Sequence, residues 1–265
     1  MSGIFPGFSE GLPTRFACGN DTPSIRLHNT SHFADTTLEE LRHHLDALKS
    51  DDTVRAIIIT GSGNRAFSAG ADIGFFGRAS AREVRDRANL AVDTYKRIEN
   101  LGKVVVAAIN GYALGGGLEL AEACTFRIAA YGARLGHPEV RIGAVAGWGG
   151  TTRLPRLVGK GRAAELLLTG RMVTADEALQ MGLLNRVAAP EKLLPEADAL
   201  LDEILAQAPL AVKMTWEALH RGLDLSIDES ARFGADYFGL IASTGDFREG
   251  TTAFLAKRLP KFTGI

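Results

Sequence analysis

Apolar positions along the chain change their period several times, and each change predicts an element. Leu38, Leu41, Leu45 and Leu48 recur at helical spacing, which predicts a helix over Thr37–Ser50 with Thr36 or Thr37 as its cap. Asp51 and Asp52 end it. Val54–Thr60 (VRAIIIT) is then a continuous β-branched run and predicts a buried strand, and Ser24–Leu27 predicts a shorter one. Ser80–Asn100 predicts a second long helix, with Arg82, Arg85, Arg87 and Arg97 on its solvent face. Val104–Asn110 (VVVAAIN) predicts the next buried strand, followed by GYALGGG, a short helix through about Glu122, and a third strand over Phe126–Ala130. Strands that are apolar throughout and alternate with helices imply an α/β sheet covered on both faces.

Beyond about residue 150 the period becomes helical and stays so. Segments near 160–168, 174–182, 190–207, 209–222, 226–242 and 245–258 predict helices, punctuated by Gly170, Gly182, Pro190, Pro195, Pro209 and Gly222. The pattern is an α/β core of roughly 150 residues with a helical C-terminal third, and it contains no tandem repeat. Residues 1 to about 24 are rich in Gly, Pro, Ser and Thr and read as a loosely ordered entry segment.

Composition narrows the function classes. The net charge of −1 argues against binding nucleic acid or a membrane surface through bulk charge. Two cysteines, Cys18 and Cys124, make neither a disulfide framework nor a zinc site, so a reducing compartment is expected. The first fourteen residues hold no Lys or Arg and no long apolar run, which speaks against a secretory or transit peptide. The charge-free stretch between Lys103 and Glu119 has 15 residues with four glycines, too short and broken to span a bilayer. A cytoplasmic protein is expected. The unusual quantity is glycine, at 30 of 265 residues.

The informative glycines form four clusters: GSGNRA at 61–66, SAGADIG at 68–74, GYALGGG at 111–117 and GAVAGWGG at 143–150. Each follows a strand-like segment, where α/β proteins place ligand sites. The first fits GxGxxA after a strand, but no helix opens there and no strand about 20 residues on ends in an acidic residue, so a nicotinamide site is not supported. A P-loop is absent. In the third cluster, Gly115-Gly116-Gly117 directly precede a helix. Unpaired amides at a helix N-terminus suit a developing oxyanion, and bare glycines let a carbonyl approach them. Glu119 falls in that helix's first turn, where it either acts in chemistry or compensates the dipole.

A second carboxylate, Glu139, lies in GHPEV between Pro138 and Val140–Ile142 and is expected to be partly buried. Two carboxylates brought to one site could divide acid and base work, although spacing alone does not show that they meet. His137 has no evident Ser or Cys partner and reads as a packing or supporting residue. A triad hydrolase is unsupported, since there is no GxSxG and neither cysteine has a nucleophile context.

AFSAGADI (66–73), KVVVAAINGYALGGGLELAEAC (103–124), ARLGHPEVRIGAVAGWGGTTRLPRLVG (133–159) and FLAKRLPKF (254–262) resemble the enoyl-CoA hydratase/isomerase (crotonase) family, in order over roughly residues 35–265, and most closely its hydratase branch. The resemblance implies a ClpP/crotonase-like α/β spiral of ββα repeats over 1–195, carrying the CoA and catalytic site. It implies a helical C-terminal trimerisation region over 196–265. Trimers usually pair into hexamers in the family. The implied substrate is an acyl-CoA, with no cofactor other than the CoA that belongs to it.

By the same resemblance the thioester oxygen would sit between the amides of Ala71 and Gly116. Glu139 would protonate Cα while Glu119 helps position and deprotonate the attacking water. Backbone around Ala69, Gly70, Asp72 and Ile73 would recognise the adenine of CoA. Phe254 and Lys257 would reach CoA across a subunit boundary, the lysine toward a phosphate. Four features depart from the family pattern. IRLHNTSHFADTTLEEL lacks the usual pyrophosphate-contact pieces, Thr125 stands where aspartate is common, Trp148 replaces a small residue and Ala146 stands where proline is frequent. The expected reaction is hydration of a 2-enoyl-CoA. The alternatives are double-bond isomerisation, hydration of a branched or cyclic acyl-CoA, and, outside enzymes, an RNA-binding relative using the four arginines of the second helix.

Overall fold

The computed structural model describes residues 24–27 and 35–265. The entry segment before Ser24, Cys18 and residues 28–34 of the segment that departs from the family pattern lie outside those residues. In chain order the elements are β1 (Ser24–Leu27), α1 (Asp35–Ser50), β2 (Ala56–Gly61), β3 (Ala66–Ser68), α2 (Ile73–Phe76), α3 (Ala81–Glu99), β4 (Val104–Ile109), β5 (Tyr112–Leu114), α4 (Gly116–Ala123), β6 (Phe126–Ala130) and β7 (Arg134–Gly136). After a 3₁₀ turn at Glu139–Ile142 come α5 (Gly150–Val158), α6 (Lys160–Thr169), β8 (Met172–Thr174), α7 (Ala175–Gln180) and β9 (Arg186–Ala188). The last helices are α8 (Leu193–Leu205), α9 (Pro209–Gly222), α10 (Ile227–Ile241) and α11 (Gly245–Leu255). The chain divides into two compact units, one ending at Asp198 and one running from Ala199 to Ile265.

The strands form two sheets. One has the order β1-β2-β4-β6-β9 and is parallel throughout; the other has the order β3-β5-β7-β8, with only the β7–β8 pair antiparallel. Successive strands go to alternate sheets: β2 then β3, β4 then β5, β6 then β7, each pair followed by helix. This is the expected spiral of ββα turns. The first sheet's strands are apolar on both faces because both faces are covered. Ile57, Ile59, Val105, Ala107 and Ala129 join the main core with Leu38, Leu41 and Leu45 of α1 and Tyr95 and Ile98 of α3, while the intervening Ile58, Val106, Ala108 and Ile128 are buried as well.

Three expectations are corrected. Helix α1 starts at Asp35, so Thr36 and Thr37 lie inside it and cannot cap it. The region beyond residue 150 is not wholly helical: β8 extends the second sheet and β9 closes the edge of the first, pairing Ile128 with Arg186. Arg87 is not on the wet face of α3. It is buried, with its guanidinium 4.2 Å from the centre of the Phe75 ring.

Candidate active site

Because β3 and β5 run side by side, with Ala66 opposite Tyr112, the segments that leave them emerge together. Gly70, at φ 91°, lies so close to the start of α4 that a Cβ there would sit 2.7 Å from the Leu114 carbonyl oxygen and 3.0 Å from the Gly116 nitrogen. Only glycine adopts that conformation without strain and leaves that space. The backbone at Gly70–Ala71 is thereby placed beside the Gly116 amide, so the two amides expected at an oxyanion belong to neighbouring stretches. Gly115 caps α4 at φ 50° with no side-chain hydrogen bond, and the first-turn amides lack intrahelical acceptors. From beneath, the Tyr95 hydroxyl donates to the Gly116 carbonyl at 2.8 Å, which holds that peptide in place.

Glu119 points from α4 into the protein and is 1% exposed. One of its oxygens, Oε1, accepts from the backbone N–H groups of Trp148 and Gly150, each at 2.8 Å. Burial pushes its carboxyl up to about 7; the Gly150 hydrogen bond and the charge of His137 pull the other way, and Glu139 and Glu122 add to the rise. A carboxyl near 7 exchanges protons readily at neutral pH. The 143–150 loop that supplies its two donors is itself anchored. Arg153 of α5 donates to the Trp148 carbonyl at 3.0 Å and makes a two-pronged pair with Glu99, at 2.5 and 3.0 Å.

Glu139, in the 3₁₀ turn, is partly buried as expected, with a side chain 16% exposed. A Cβ on Gly115 would lie 3.1 Å from its Oε1, so this carboxylate rests against the residue that precedes the Gly116 amide. Its Oε2 is buried and has no hydrogen-bond partner among the described residues. His137 stands between Glu139 and a third carboxylate, Glu122. Its Nε2 is 2.8 Å from Glu122 Oε1 with both side chains fully buried, and its Nδ1 is 3.7 Å from Glu139 Oε1. Burial opposes a charge on His137, but the Glu122 and Glu139 carboxylates outweigh it and push the imidazole up to about 10. A Cβ on Gly150 would meet both His137 Cε1, at 2.8 Å, and Glu119 Cγ, at 3.1 Å. Glu119 and Glu139, whose meeting spacing could not establish, are therefore both neighbours of one imidazole, and Glu119 feels the charge of Glu139.

Sequence reasoning missed Glu122, Tyr95, Glu99 and Arg153 here. Only Glu122 carried a signal, since it lies three residues after Glu119 and so on the same side of α4. Ala69 and Ile73 are exposed and Asp72 half-buried; the Asp72 side chain caps α2 by accepting from Gly74 N at 2.8 Å. Phe254 is exposed in α11, and Lys257, just past it, is exposed at φ 52°. Trp148 is buried, stacked edge-on to Tyr95 with ring centres 6.3 Å apart, and packed against Gly116, whose Cβ would strike its ring at 2.5 Å. Thr125 Oγ1 accepts from Val105 N at 3.2 Å, a structural use of the position. The Cys124 thiol is pushed by burial up to about 12 and is no nucleophile.

The GxGxxA segment runs from β2 through a turn into β3, with no helix to hold a dinucleotide. Of the four arginines, Arg82 and Arg85 lie beside Asp86, Arg97 pairs with Asp46 and Arg87 is buried, so they do not form a free basic face. Among the described residues no group of three His, Cys, Asp or Glu is arranged to hold a metal ion.

The family model described as enoyl-CoA hydratase/isomerase matches residues 23–264. A crotonyl-CoA hydratase of Syntrophomonas wolfei is 47% identical over 226 residues, covering 85% of this chain and 87% of that protein. A short-chain-enoyl-CoA hydratase of Clostridium acetobutylicum is 42% identical over 222 residues, covering 84% and 85%. Among solved structures, an enoyl-CoA hydratase from Bacillus anthracis superposes with a TM-score of 0.86 at 36% identity, covering 91% of this chain and 96% of that one. A Geobacillus kaustophilus enoyl-CoA hydratase subunit does so with 0.89 at 35% identity, covering 97% and 100%.

Proposed function

The chain belongs to the enoyl-CoA hydratase/isomerase family, and from that premise we propose that it is a hydro-lyase adding water across the 2,3 double bond of a 2-enoyl-CoA to give the 3-hydroxyacyl-CoA. The observation that supports this reading is Glu139 resting against Gly115, which precedes the Gly116 amide, with Glu119 near enough to feel its charge. The thioester oxygen takes the place between the amides of Ala71 and Gly116. As water attacks C3, electron density moves through C2 onto that oxygen, where two fixed N–H dipoles stabilise it; one such donor is typically worth about 10²–10³ in rate. Glu119 accepts the proton of the attacking water, and Glu139 gives its proton to C2. One C–O and one C–H bond form and the double bond is lost, with the two glutamates exchanging protonation states.

In the proposed CoA site the backbone at Ala69, Gly70, Asp72 and Ile73 recognises the adenine, and Lys257, beside Phe254, contacts a phosphate of the CoA held by a neighbouring subunit. No group other than the substrate's own CoA enters the reaction. A homotrimer or homohexamer is the proposed assembly, supported by the apolar side chains that α9–α11 expose, among them Leu219, Ile227, Phe238 and Phe254. No helix among the described residues is long and apolar enough to cross a membrane, and the proposed location is the cytoplasm, without nucleic-acid or membrane partners.

Hydration of crotonyl-CoA, followed as loss of enoyl-thioester absorbance, tests the reading. Glu119→Gln and Glu139→Gln should each lower kcat by about 10²–10⁴. Near-normal activity in either variant would overturn the two-carboxylate mechanism.

A further inference from the structure

The reaction drawn above uses Glu119 and Glu139 but leaves His137 and Glu122 without a part, although both side chains are fully buried at its centre. Their burial needs a reason. An imidazole among carboxylates is a costly way to fill space, since apolar side chains of similar volume are often as good or better for stability. The geometry is also directional. Nε2 of His137 is occupied by Glu122 Oε1 at 2.8 Å, a full hydrogen bond, while Nδ1 faces Glu139 Oε1 at 3.7 Å, an ion contact just beyond hydrogen-bond reach. Nδ1 has no hydrogen-bond partner among the described residues, so Glu139 is the acceptor it addresses. His137 and Glu139 are two residues apart across Pro138, whose ring limits φ and thus the freedom of the link between them.

We propose that His137, braced by Glu122, is a positioning residue for Glu139: it engages Oε1 and so leaves Oε2 as the oxygen that carries and delivers the proton. The inference rests on the hydratase reading and deepens it. An imidazolium has donors on both nitrogens and can serve Glu122 and Glu139 at once, whereas a neutral ring can donate to only one. With Oε1 turned to Nδ1, the proton of Glu139 resides on Oε2, the buried oxygen without a partner. When that proton passes to C2 of the substrate, the C–H bond takes it and the electron pair of the O–H bond stays on Glu139. The positive ring beside Oε1 stabilises the carboxylate left behind.

The charged groups around His137 are few and nameable. Helix α4 presents Glu122 and Glu119, and the 3₁₀ turn presents Glu139. Arg153 of α5 feels both α4 glutamates but is bonded to Glu99 and the Trp148 carbonyl. Arg127 of β6 feels Glu122 but is bonded to the carbonyls of Leu183 and Cys124. Neither arginine takes over the imidazole's role toward Glu139. Consistently, the Glu122 carboxylate hydrogen-bonded to Nε2 is the foremost charge that favours the protonated imidazole.

The test uses the full chain and crotonyl-CoA between pH 6 and 10. In Glu122→Gln the ring loses the carboxylate that keeps it charged. The alkaline fall in kcat should then move down by about one pH unit or more, with KM changed by less than about threefold. His137→Gln should lose about tenfold or more in kcat. The double variant should match His137→Gln within about twofold, because Glu122 acts through His137. Nitrogen-15 NMR of the wild-type histidines, with His137 assigned by its absence in His137→Gln, should show a doubly protonated ring at pH 8. An unchanged pH profile in Glu122→Gln, multiplicative losses in the double variant, or a neutral His137 at pH 8 would each overturn the proposal. A wild-type chain inactive on crotonyl-CoA would instead refute the hydratase reading, and the NMR signal distinguishes the two failures.

Discussion

Helices α4 and α10 are built on opposite plans. In α4 all eight residues are buried, and its start has no side-chain support: Gly115 caps it without a side chain, and Gly116 and Gly117 open its first turn. In α10 no residue is buried, and local devices abound. Ser226 and Glu229 form a capping box, and Asp228 pairs with Arg232 one turn on. The glycine-rich start of the one is held by its surroundings; the other is secured by its own cap and ion pair and presents Ile227, Phe238 and Leu240 to the outside. A site that must bring bare amides and carboxylates together is better built on the first plan. Glycine is admitted there only because packing makes up for its poor propensity.

Three experiments sharpen that contrast, in decreasing order of effect. Leu118→Ala empties a fully buried position of α4 and should cost about 2–5 kcal/mol in a urea unfolding curve; a loss below about 1 kcal/mol would mean that burial does not hold the helix. Next comes the charge that α4 hides. The Glu119 carboxyl is raised from 4.5 to about 7, so the folded chain binds that proton more tightly than the unfolded one. Its contribution to stability is full below about pH 4.5 and lost as pH rises through 7. Relative to wild type, Glu119→Gln should therefore gain on the order of 3 kcal/mol between pH 4.5 and 8. A difference that stays constant with pH would contradict the assignment. The smallest effect belongs to α10: Ser226→Ala removes the capping box and should cost about 0.5–2 kcal/mol, read from the same denaturation curves. If it cost as much as Leu118→Ala, α10 would not be self-supporting.

How legible each part was follows from how local its cause is. β2, β4 and β6 were readable because a strand buried on both faces must be apolar at every position, as AIIITG, VVVAAI and FRIAA nearly are. β3, β5 and β7 were not visible as separate strands. Each has three residues and exists only because its neighbour in the second sheet pairs with it. β8 and β9 were hidden in a helical stretch for the same reason. In the site, Glu119 and Glu139 were named from motifs, and glycine in excess marked the loops around them. The Glu122–His137 pair was not foreseen, because fifteen residues separate partners that meet only after α4 and β7 are docked.

By itself, then, the sequence determined which segments are buried strands, where amides lie bare of side chains, and which family's motifs the chain carries, since hydrophobic period, glycine placement and motif order are properties of neighbouring residues. The tertiary structure decided that Glu119 sits near 7 on two loop amides, that His137 stands between carboxylates, that Arg87 is buried against an aromatic ring and that Arg153 holds the loop. Each of those depends on desolvation and on distances between groups far apart in the chain, and neither exists until the sheets have closed around α4.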